Sequence, residues 1–466
     1  MTMTTFSSSV RSFFRLARPA AVVLCCSLTA ACQAAEDEPI VERPLARVTQ
    51  ADRPAFPGAE GHGRFARGGR DGRIIQVTTL ADEGAGSLRA CIEAAGPRVC
   101  VFRVGGVIRY VRERPIIVHP NITIAGETAP GDGILITHSG GEHAFTPFVV
   151  KNTHDVIVRH IRVRTDLPGE QRGANSAFII ENSRNVILDH VSASWALDEN
   201  VGGYAQNDAI TISWSIFAEG VPRHDKCALL SSDPKGPQQL SFIRNLCAHN
   251  GDRNPDVNFP PGSCVEVINN VLYNASSQFT EVWESYGGTP ANIVGNYYRQ
   301  GPSTAGRAYA IDRPLVGSTG RARIYQAGNV IDGDRVTFAP IAQEAFVATP
   351  VCPLRSAVLD ARAAYAQVLG GAGAFPRDAV DVRIADEVRS RTGKIGRENR
   401  VLPVLRAGTP YADADGDGMS DAWERHRKLD PARNDAWGDA DGNGWANLEE
   451  FLNYAHETRL AGRVVR

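Results

Sequence analysis

The chain has 466 residues, of which 43% are hydrophobic and 22% are charged, and its formal net charge is −2. This length suffices for one large domain with a small one, or for two to three ordinary domains, and the balanced charge excludes a chain that binds nucleic acid through overall basicity. Glycine (45 residues) and proline (27) are abundant while methionine (3) is scarce, which is typical of many turns and few long helices.

Residues 1–32 are predicted to be a signal peptide. Three arginines precede the apolar run 20–31, which is too short to span a bilayer and fits a secretory signal. The segment Leu28–Cys32 resembles a bacterial lipobox, in which Cys32 would be lipidated; cleavage a few residues later, which releases a free protein, is the alternative. We therefore expect export from a bacterial cell, as a secreted, periplasmic or outer-membrane lipoprotein, with membrane contact only through Cys32. The charged, proline-containing residues 33–50 are predicted to be a linker.

Six cysteines lie beyond the signal peptide, at Cys91, Cys100, Cys227, Cys247, Cys264 and Cys352. Disulfides are common in exported proteins, and Cys91 and Cys100, which close a short loop, are the best candidates for a pair. The alternative is that buried cysteines simply fill the core. No CxxC spacing is present, so a cysteine metal site is not expected.

Eight short strands recur at intervals of about 24–34 residues between positions 100 and 335. Each is rich in β-branched residues and bounded by Gly, Asn or Asp. The predicted strands are Asn121–Ile124, Val156–Arg159, Val186–Asp189, Ile210–Ser213, Leu240–Ile243, Val265–Ile268, Asn292–Val294 and Arg323–Tyr325. A turn position follows each strand, at Gly126, His160, His190, Ser215, Asn245, Asn270, Asn296 and Asn329.

This repeat predicts an all-β fold, a right-handed parallel β-helix over residues 51–400. One coil cannot bury its apolar face alone, so neighbouring coils must stack, and stacked polar turn residues can hydrogen-bond from coil to coil. A β-sandwich would show alternating patterns and hairpin turns about every 8–12 residues, and the chain has few Asn-Gly hairpin turns. The stretches 356–370 and 380–391 have helical spacing and are expected to pack along the β-helix or to cover its C-terminal end.

Two loops near the C-terminus fit the pattern D-x-D-x-[DN]-G-x5-E: loop 1 (residues 413–424) and loop 2 (residues 439–450). Such loops bind Ca²⁺ through oxygen atoms, those of Met419 and Trp445 being backbone carbonyls. The predicted ligands are Asp413, Asp415, Asp417, Met419, Asp421 and Glu424 in loop 1, and Asp439, Asp441, Asn443, Trp445, Asn447 and Glu450 in loop 2.

Residues 401–466 are accordingly expected to form a small α-helical, EF-hand-like calcium-binding segment. Calcium would be structural there, ordering a tail too small to fold alone. The segment resembles the calcium-binding repeats of extracellular bacterial proteins, including dockerins. Two solvated acidic loops are the alternative.

The stretch 186–255 carries most of the polar groups that could perform chemistry. It includes Asp198-Glu199, His224-Asp225-Lys226 and Arg253-Asn-Pro255, one group for each repeat. Because a regular stack of strands places their ends side by side, these groups are expected to assemble an arginine, a lysine and acidic residues on one surface. Such a surface suits an anionic polymer.

Five segments together resemble the pectate lyase family of polysaccharide lyases (family 1), over about residues 55–400. They are 55–61, 84–89, 122–131, 188–190 and 253–255. The resemblance implies a parallel β-helix that cleaves acidic pectic chains by β-elimination. That reaction removes the proton next to a uronate carboxylate and expels the linked sugar, so it needs cations against the carboxylate and a base at the proton.

The resemblance also implies roles for single residues. Arg253 matches the family's catalytic arginine, the proposed base, although arginine is protonated at ordinary pH and an electrostatic role is the alternative. Lys226 matches the substrate-binding lysine, and Arg162 is one of several arginines expected to add charge that binds substrate. His160 and His190 are assigned to the turn ladder rather than to catalysis.

The family's calcium ligands in the cleft match less well. Asp198 and Glu199 lie where acidic ligands are expected, but the next ligand position is Gly202. Asp166 is a substitute for an earlier ligand, and Asn258 stands where the family has a second arginine. Calcium in the cleft is therefore a weaker expectation than calcium in the tail, and so is a preference for unesterified pectate.

The sequence thus predicts an exported, monomeric polysaccharide lyase that acts on an acidic, plant-type polysaccharide, most simply pectate. A lyase for another uronate polymer or for methylated pectin remains an alternative, as does a non-catalytic, glycan-binding β-helix at the cell surface. A β-helical glycoside hydrolase would need carboxylates that flank the scissile bond. The adjacent Asp198 and Glu199 would point to opposite sides of an extended strand, which disfavours it.

Overall fold

Short strands, each followed by a tight turn, form three parallel sheets around one apolar interior. The computed structural model describes residues 39–138, 145–165, 175–222, 224–315, 317, 320–398 and 400–466, and every contact given below lies within the compact unit Pro44–Arg466. The predicted signal peptide with Cys32, and the candidate ligand Asp166, lie outside the described residues.

The strands of the described residues, in chain order, are β1 (Arg73–Val77), β2 (Arg98–Phe102), β3 (Gly106–Tyr110), β4 (Ile116–Ile117), β5 (Ile122–Ala125), β6 (Ile134–His138), β7 (Phe148–Lys151), β8 (His154–Arg159), β9 (Ile161–Arg164), β10 (Phe178–Glu181), β11 (Arg184–Asp189), β12 (Ser192–Ser194), β13 (Glu199–Tyr204), β14 (Asp208–Ser213), β15 (Ile216–Ala218), β16 (Lys226–Ser232), β17 (Gln239–Ile243), β18 (Leu246–Ala248), β19 (Asp256–Val257), β20 (Cys264–Ile268), β21 (Val271–Tyr273), β22 (Gln278–Val282), β23 (Pro290–Val294), β24 (Tyr297–Arg299), β25 (Ala308–Asp312), β26 (Arg323–Ala327), β27 (Val330–Asp332), β28 (Val336–Thr337) and β29 (Phe346–Val347).

These strands stack as a parallel β-helix. Sheet A has the order β1-β2-β5-β8-β11-β14-β17-β20-β23-β26-β29, sheet B the order β3-β6-β9-β12-β15-β18-β21-β24-β27, and sheet C the order β4-β7-β10-β13-β16-β19-β22-β25-β28. Over most of the chain each coil contributes one strand to each sheet, so neighbours in a sheet lie three strands apart in sequence. The predicted fold class is confirmed.

All eight strands predicted from the repeat lie in sheet A, as β5, β8, β11, β14, β17, β20, β23 and β26. The strands of sheets B and C were not predicted. Most strands of sheet B between β12 and β27 have only three residues and follow sheet A after a two-residue turn. So short a segment carries too few side chains to establish a period.

The interior is built from side chains that repeat at one position of each coil. Ile124, Val158, Leu188, Ile212 and Phe242 are in register on five consecutive strands of sheet A, and none is more than 2% exposed. A single coil would leave this stripe in water, whereas stacking removes it from water. Each such side chain contributes about 1.5–3 kcal/mol to stability.

A ladder of polar side chains closes the turn between sheets A and B. The backbone N–H of Ser215 donates to Asn245 Oδ1 (2.9 Å), that of Asn245 to Asn270 Oδ1 (2.8 Å), that of Asn270 to Asn296 Oδ1 (2.9 Å) and that of Asn296 to Asn329 Oδ1 (2.9 Å). The predicted coil-to-coil hydrogen bonding is confirmed for these five positions. It satisfies buried backbone groups that the turns leave without a strand partner.

His160 and His190 do not belong to this ladder, which corrects their predicted place. Asp189 pairs with Ser213 in register, so His190 lies opposite Trp214, one residue before the ladder position. These histidines are the first residue after their strands of sheet A, where the backbone enters the left-handed region (φ +52° and +51°). Their rings stack on each other with centroids 5.2 Å apart, and His190 stacks on Trp214 at 5.8 Å.

Three disulfides link the described cysteines. The predicted pair Cys91–Cys100 is confirmed, and the other two are Cys227–Cys247 and Cys264–Cys352. Cys227 and Cys247 are fully buried and join sheet C to sheet B across the interior. Cross-links of this kind stabilise chiefly by limiting the unfolded chain.

The described helices are α1 (Leu88–Glu93), α2 (Pro340–Gln343), α3 (Ala361–Gly371), α4 (Ala379–Ser390), α5 (Asp421–Arg427) and α6 (Asn447–Leu460), with a 3-10 turn at Gly126–Thr128. Helices α3 and α4, in the two segments predicted to be helical, pack on sheet B, where Val368 and Ile384 share a buried cluster with Ile216. Arg459 of α6 donates to the carbonyl of Glu127 (3.1 Å), so the tail lies on the β-helix. Within the described part of the chain, no helix combines the length and apolarity needed to cross a membrane.

Candidate active site

Sheet C brings together the polar groups of the stretch 186–255. Glu199, at the start of β13, is in register with Lys226, at the start of β16, and Lys226 pairs in turn with Asp252. Arg253 follows in the left-handed region (φ +50°), which turns the chain into β19. Parallel stacking thus sets an acid, a lysine, an acid and an arginine next to one another on three coils.

Ion pairs connect these side chains in a row. Arg253 contacts the carboxylate of Glu199, and its Nε lies 3.6 Å from Asp256 Oδ2. Lys226 Nζ lies 2.5 Å from Asp252 Oδ1. The side chains of Arg253 and Lys226 are 22% and 13% exposed, whereas that of Glu199 is 1% exposed. The cations can therefore be reached from outside, while Glu199 lies beneath them.

His224 adds a third cation to the cleft. Its Nε2 lies 2.9 Å from Asp198 Oδ1 and 3.6 Å from Glu199 Oε1. Hydrogen bonds to Asp198 and then to Glu199 raise the pKa of His224 to about 9. Burial lowers the pKa of Arg253, but Asp256 and Glu199 outweigh it, and the pKa is raised above its ordinary value. Both side chains are cations at neutral pH.

Residues that the motifs did not mark complete the site. Glu281 Oε1 accepts the backbone N–H of Arg253 (3.1 Å), and its Oε2 accepts Trp283 Nε1 (2.8 Å). Tyr204 donates to Glu199 Oε2 (3.3 Å). Glu281 and Trp283 lie one coil beyond the resembling segments, so only the register of sheet C associates them with Arg253.

Arg162 lies elsewhere, which corrects its predicted role in binding substrate. Its side chain is fully buried, and Nη1 and Nη2 donate to the carbonyls of Asp132 (2.8 Å) and Ala374 (3.0 Å). Nε faces Asp378 beside α4 at 3.6 Å. Arg162 is on sheet B, not sheet C, because β9 follows the first turn of its coil. It fastens the segment before α4 to the β-helix and cannot meet a polymer at the surface.

The described residues of the cleft do not make a complete calcium site. Asp198, Glu199 and His224 place one ligand atom each within 4.8 Å of one another, but the third atom is a nitrogen that already contacts Asp198. Calcium prefers six to eight oxygen ligands. Gly202 brings no carboxylate, and Asn258 Oδ1 accepts the N–H of Ser285 (3.2 Å). Two carboxylates, both paired with cations of the protein, fall short of that requirement.

Loop 1 of the tail gathers its acidic residues closely. Asp413, Asp415 and Asp417 place ligand atoms within 4.8 Å of one another, as do Asp417, Glu424 and Asp435. Among the other predicted ligands, Met419 is fully buried, and Asp421 Oδ1 accepts the N–H of Ala414 (2.8 Å).

Loop 2 is arranged differently, because its acids already have partners. Arg427 pairs with Asp441 (2.8 Å) and Glu450 (2.6 Å). Asn443 Nδ2 also donates to Glu450, at 2.6 Å from Oε1. Of the remaining predicted ligands, Gly444 N–H donates to Asp439 Oδ2 (3.0 Å), Trp445 is buried, and Asn447 Nδ2 donates to Asp435 Oδ1 (3.2 Å).

Known proteins resemble the chain over most of its length. It is 35% identical over 421 residues to "Probable pectate lyase C" of Neosartorya fischeri, a match that covers 86% of this chain and 93% of that protein. It is 34% identical over 440 residues to "Probable pectate lyase C" of Emericella nidulans, which covers 88% and 94%. No protein-family model matches the chain.

Among solved structures, that of jun a 1, the major allergen from cedar pollen, superposes with a TM-score of 0.50 at 17% identity, covering 68% of this chain and 92% of that one. This likeness concerns the fold. The β-helix and the sequence relatives together define a polysaccharide lyase. The chain belongs to the pectate lyase family, since relatives of that name share about a third of their residues with it over nearly their whole length.

Proposed function

We propose that this protein cleaves a uronate-containing polysaccharide, pectate above all, by β-elimination in the cleft of sheet C. The observation that supports the proposal most is the convergence of Arg253 and Lys226 on one face, with both side chains partly exposed. Two neighbouring coils supply them, so the site depends on the stacked fold and not on a local motif.

Lys226 and His224 are proposed to bind the substrate's carboxylates. Their present partners, Asp252 and Asp198, are 24% and 13% exposed, so an incoming uronate can share or replace these pairings. Neutralising the uronate makes its α-proton more acidic, because the negative charge that develops next to it is stabilised. A polyanion also meets complementary charge on entry.

Arg253 is proposed to remove the α-proton at C5 of the uronate. The neutral guanidine nitrogen takes the proton, the C5–H electrons form the C4–C5 double bond, and the C4–O bond breaks; the linked sugar leaves as an alkoxide, which takes a proton from water. In the free protein Arg253 is held protonated by Asp256 and Glu199, so the base role requires the guanidinium to lose its proton once substrate is bound. An electrostatic role, with the proton going to water, is the alternative.

Calcium has two places in the proposal. The tail, where loops 1 and 2 carry the repeated acidic pattern, is proposed to hold structural Ca²⁺. In the cleft, Asp198 and Glu199 are the described residues that would contact an ion, and oxygens from the substrate would have to complete its shell. No step above depends on an ion in the cleft.

The substrate is proposed to be unesterified pectate, with methylated pectin or another uronate polymer as the second candidate. The incomplete calcium site favours methylated pectin, because a polymer with fewer carboxylates needs fewer bridging cations. Three disulfides support export, as they persist in oxidising compartments. We therefore retain an exported monomer, with Cys32 as a lipid-anchor candidate.

A panel of polymers tests the activity. The protein is incubated with polygalacturonate, methylated pectin and other polyuronates, each with and without chelator, and the unsaturated product is followed by its ultraviolet absorbance. We expect product from polygalacturonate at the highest rate. Folded protein that yields product from none of these polymers contradicts the lyase proposal, and a faster reaction on methylated pectin replaces pectate as the substrate.

A further inference from the structure

The two loops of the tail share one sequence pattern but differ in how their acids are neutralised. In loop 1, Asp417 and Glu424 are both fully buried. Neither carboxylate oxygen of Glu424 has a hydrogen-bond partner among the described residues. Burying an ionised carboxylate without a partner is costly, so this arrangement calls for a bound cation that the protein itself does not supply.

The acids around Glu424 converge on one point. Asp417, Glu424 and Asp435 place ligand atoms within 4.8 Å of one another, and Asp417 also belongs to the cluster of loop 1 aspartates. Asp435 lies outside the repeated motif, between the loops, and its carboxylate also accepts Asn447 Nδ2 (3.2 Å) and pairs with Arg433 (2.8 Å). It is thus held in position to add an oxygen ligand.

Among the described residues, two arginines lie near acids of loop 1, and neither pairs with Asp417 or Glu424. Arg103 Nη1 lies 3.8 Å from Asp413, and Arg425 Nη2 lies 3.4 Å from Asp421. Arg425 is largely in solvent, with 64% of its side chain exposed, so it screens little. The centre of the loop remains acidic and oxygen-rich, as Ca²⁺ requires.

Loop 2 holds a guanidinium between its third and twelfth positions, whereas no described guanidinium pairs with the equivalent Asp415 and Glu424 of loop 1. Arg427 Nη2 bridges Asp441 Oδ2 (2.8 Å) and Glu450 Oε2 (2.6 Å). Because Asn443 donates to the other oxygen of Glu450, both oxygens of the final ligand position are engaged. Arg427 comes from the end of α5, where its guanidinium also lies over the ring of Trp423 at 5.7 Å.

We propose that the tail binds one divalent cation, in loop 1, with Asp435 as a ligand from outside the motif, and that Arg427 closes loop 2 in place of a second ion. The inference refines the tail calcium of the proposed function and does not rest on the lyase activity.

The bound cation would fix the tail on the first coil. Gln76 of β1 donates to Asp413 Oδ2 (3.0 Å). A Cβ on Gly418 would lie 3.0 Å from Ile74 and 3.2 Å from Val101, so the loop backbone lies directly on β1 and β2. An ion that orders loop 1 therefore also holds the loop over this part of sheet A.

Calcium titrations of the calcium-stripped full protein test the asymmetry by calorimetry. Glu424→Gln should lose one equivalent of bound Ca²⁺, and Glu450→Gln should lose none. Arg427→Gln should gain one equivalent, because Asp441 and Glu450 are released, whereas the matched control Arg425→Gln on the same helix should gain none. Asp435→Asn should keep the equivalent with about tenfold weaker affinity, the loss of one charged ligand (~1.4 kcal/mol).

The outcomes distinguish whether the tail binds calcium at all from whether it binds one ion or two. Loss of an equivalent in Glu450→Gln, with no gain in Arg427→Gln, overturns the single-ion proposal but leaves calcium in the tail. Full binding in Glu424→Gln overturns tail calcium in loop 1 altogether. Circular dichroism accompanies each titration, and Asp415→Asn, at a half-buried position, replaces Glu424→Gln if that variant does not fold. An ion in the cleft is identified by its loss in Asp198→Asn.

Discussion

The cleft of sheet C and loop 1 of the tail are both acidic, but Glu199 and Asp252 of the cleft are paired with cations of the protein, whereas Glu424 of loop 1, within the described part of the chain, is not. In the cleft, Glu199 contacts Arg253 and Asp252 contacts Lys226. In loop 1, Glu424 is buried, and its carboxylate has no hydrogen-bond partner among the described residues. Each of these two cleft acids is paired with a cation before any ligand arrives, whereas Glu424 has no such partner in the described chain.

This difference indicates what each cluster is for. Paired charges that remain partly exposed can exchange partners, so a polyanion can bind the cations of the cleft without disturbing the fold. An unpaired, buried carboxylate destabilises the folded state until a cation binds. We therefore expect substitutions in the cleft to change catalysis and those in loop 1 to change stability.

The largest expected effect concerns the cleft and tests whether Arg253 acts in catalysis. Arg253→Lys should lower kcat about 100- to 10,000-fold, the usual contribution of a positioned acid or base, with little change in melting temperature. The initial rate on polygalacturonate measures it. Arg299→Lys is the matched control: Arg299 is likewise ion-paired and 12% exposed, but lies on sheet B. A full rate in Arg253→Lys would mean that Arg253 acts by charge alone.

The next largest effect concerns the tail and tests whether calcium in loop 1 stabilises the fold. Removing calcium, or substituting Glu424→Gln, should lower the free energy of unfolding by about 3–4 kcal/mol, the stabilisation from a ligand at 100 to 1,000 times its Kd. Urea denaturation with and without calcium measures the difference. The Glu424→Gln variant should no longer respond to calcium, and an undiminished response would place the stabilising ion elsewhere.

A smaller effect sharpens the role of Lys226. Lys226→Gln should raise KM about 10- to 100-fold with a smaller change in kcat, as one charge-assisted hydrogen bond contributes about 1.5–3 kcal/mol. Lys151→Gln serves as the control, since Lys151 lies on the same sheet and pairs with Glu181 at 2.9 Å. Equal effects of the two substitutions would point to overall charge and not to a specific contact.

The smallest expected effect is the pH dependence of the free energy of unfolding. Burial, followed by His190 and Arg159, holds the pKa of His160 well below its ordinary value. The unfolded chain therefore binds the proton first, so stability is complete above about pH 6.5 and falls as the pH drops below it, by at most about 1.4 kcal/mol per pH unit for this group. Urea denaturation at two pH values, in saturating calcium, measures the slope.

The variant His160→Gln separates this histidine from other titrating groups. It removes the ring that accepts the N–H of Phe375 (3.0 Å) and contacts His456 Nδ1 (2.8 Å). Its stability should be lower at neutral pH but should fall less steeply below pH 6.5 than that of the natural protein. An unchanged slope assigns the acid sensitivity to other groups.

Much of the scaffold could be predicted because its signals lie in short segments of sequence that repeat along the chain. Each strand of sheet A carries its own β-branched run, and Ser215, Asn245, Asn270, Asn296 and Asn329 recur at the spacing of the coil. A repeat of this kind predicts that the coils stack, since one coil has no other way to bury its apolar side. The pair Cys91–Cys100 was equally local.

Tertiary structure decided the partners, because partners come from distant coils. Arg162 and Lys226 are both basic residues of strands. Arg162, on sheet B, is buried against Asp378, whereas Lys226, on sheet C, is partly exposed. Which sheet a strand joins depends on the turns before it, and these are too short to carry a pattern. His160 and His190 were misplaced by a single residue for the same reason.

The sequence by itself determined the β-helix, eight strands of sheet A and the two acidic loops of the tail, because those features repeat along the chain. Only the tertiary structure decided which acids are neutralised. Glu199 meets Arg253 across 54 positions, and Arg427 reaches Glu450 across 23, while neither carboxylate oxygen of Glu424 has a hydrogen-bond partner among the described residues. The pairing of charges depends on distance in space, and the repeat that specifies the fold does not encode it.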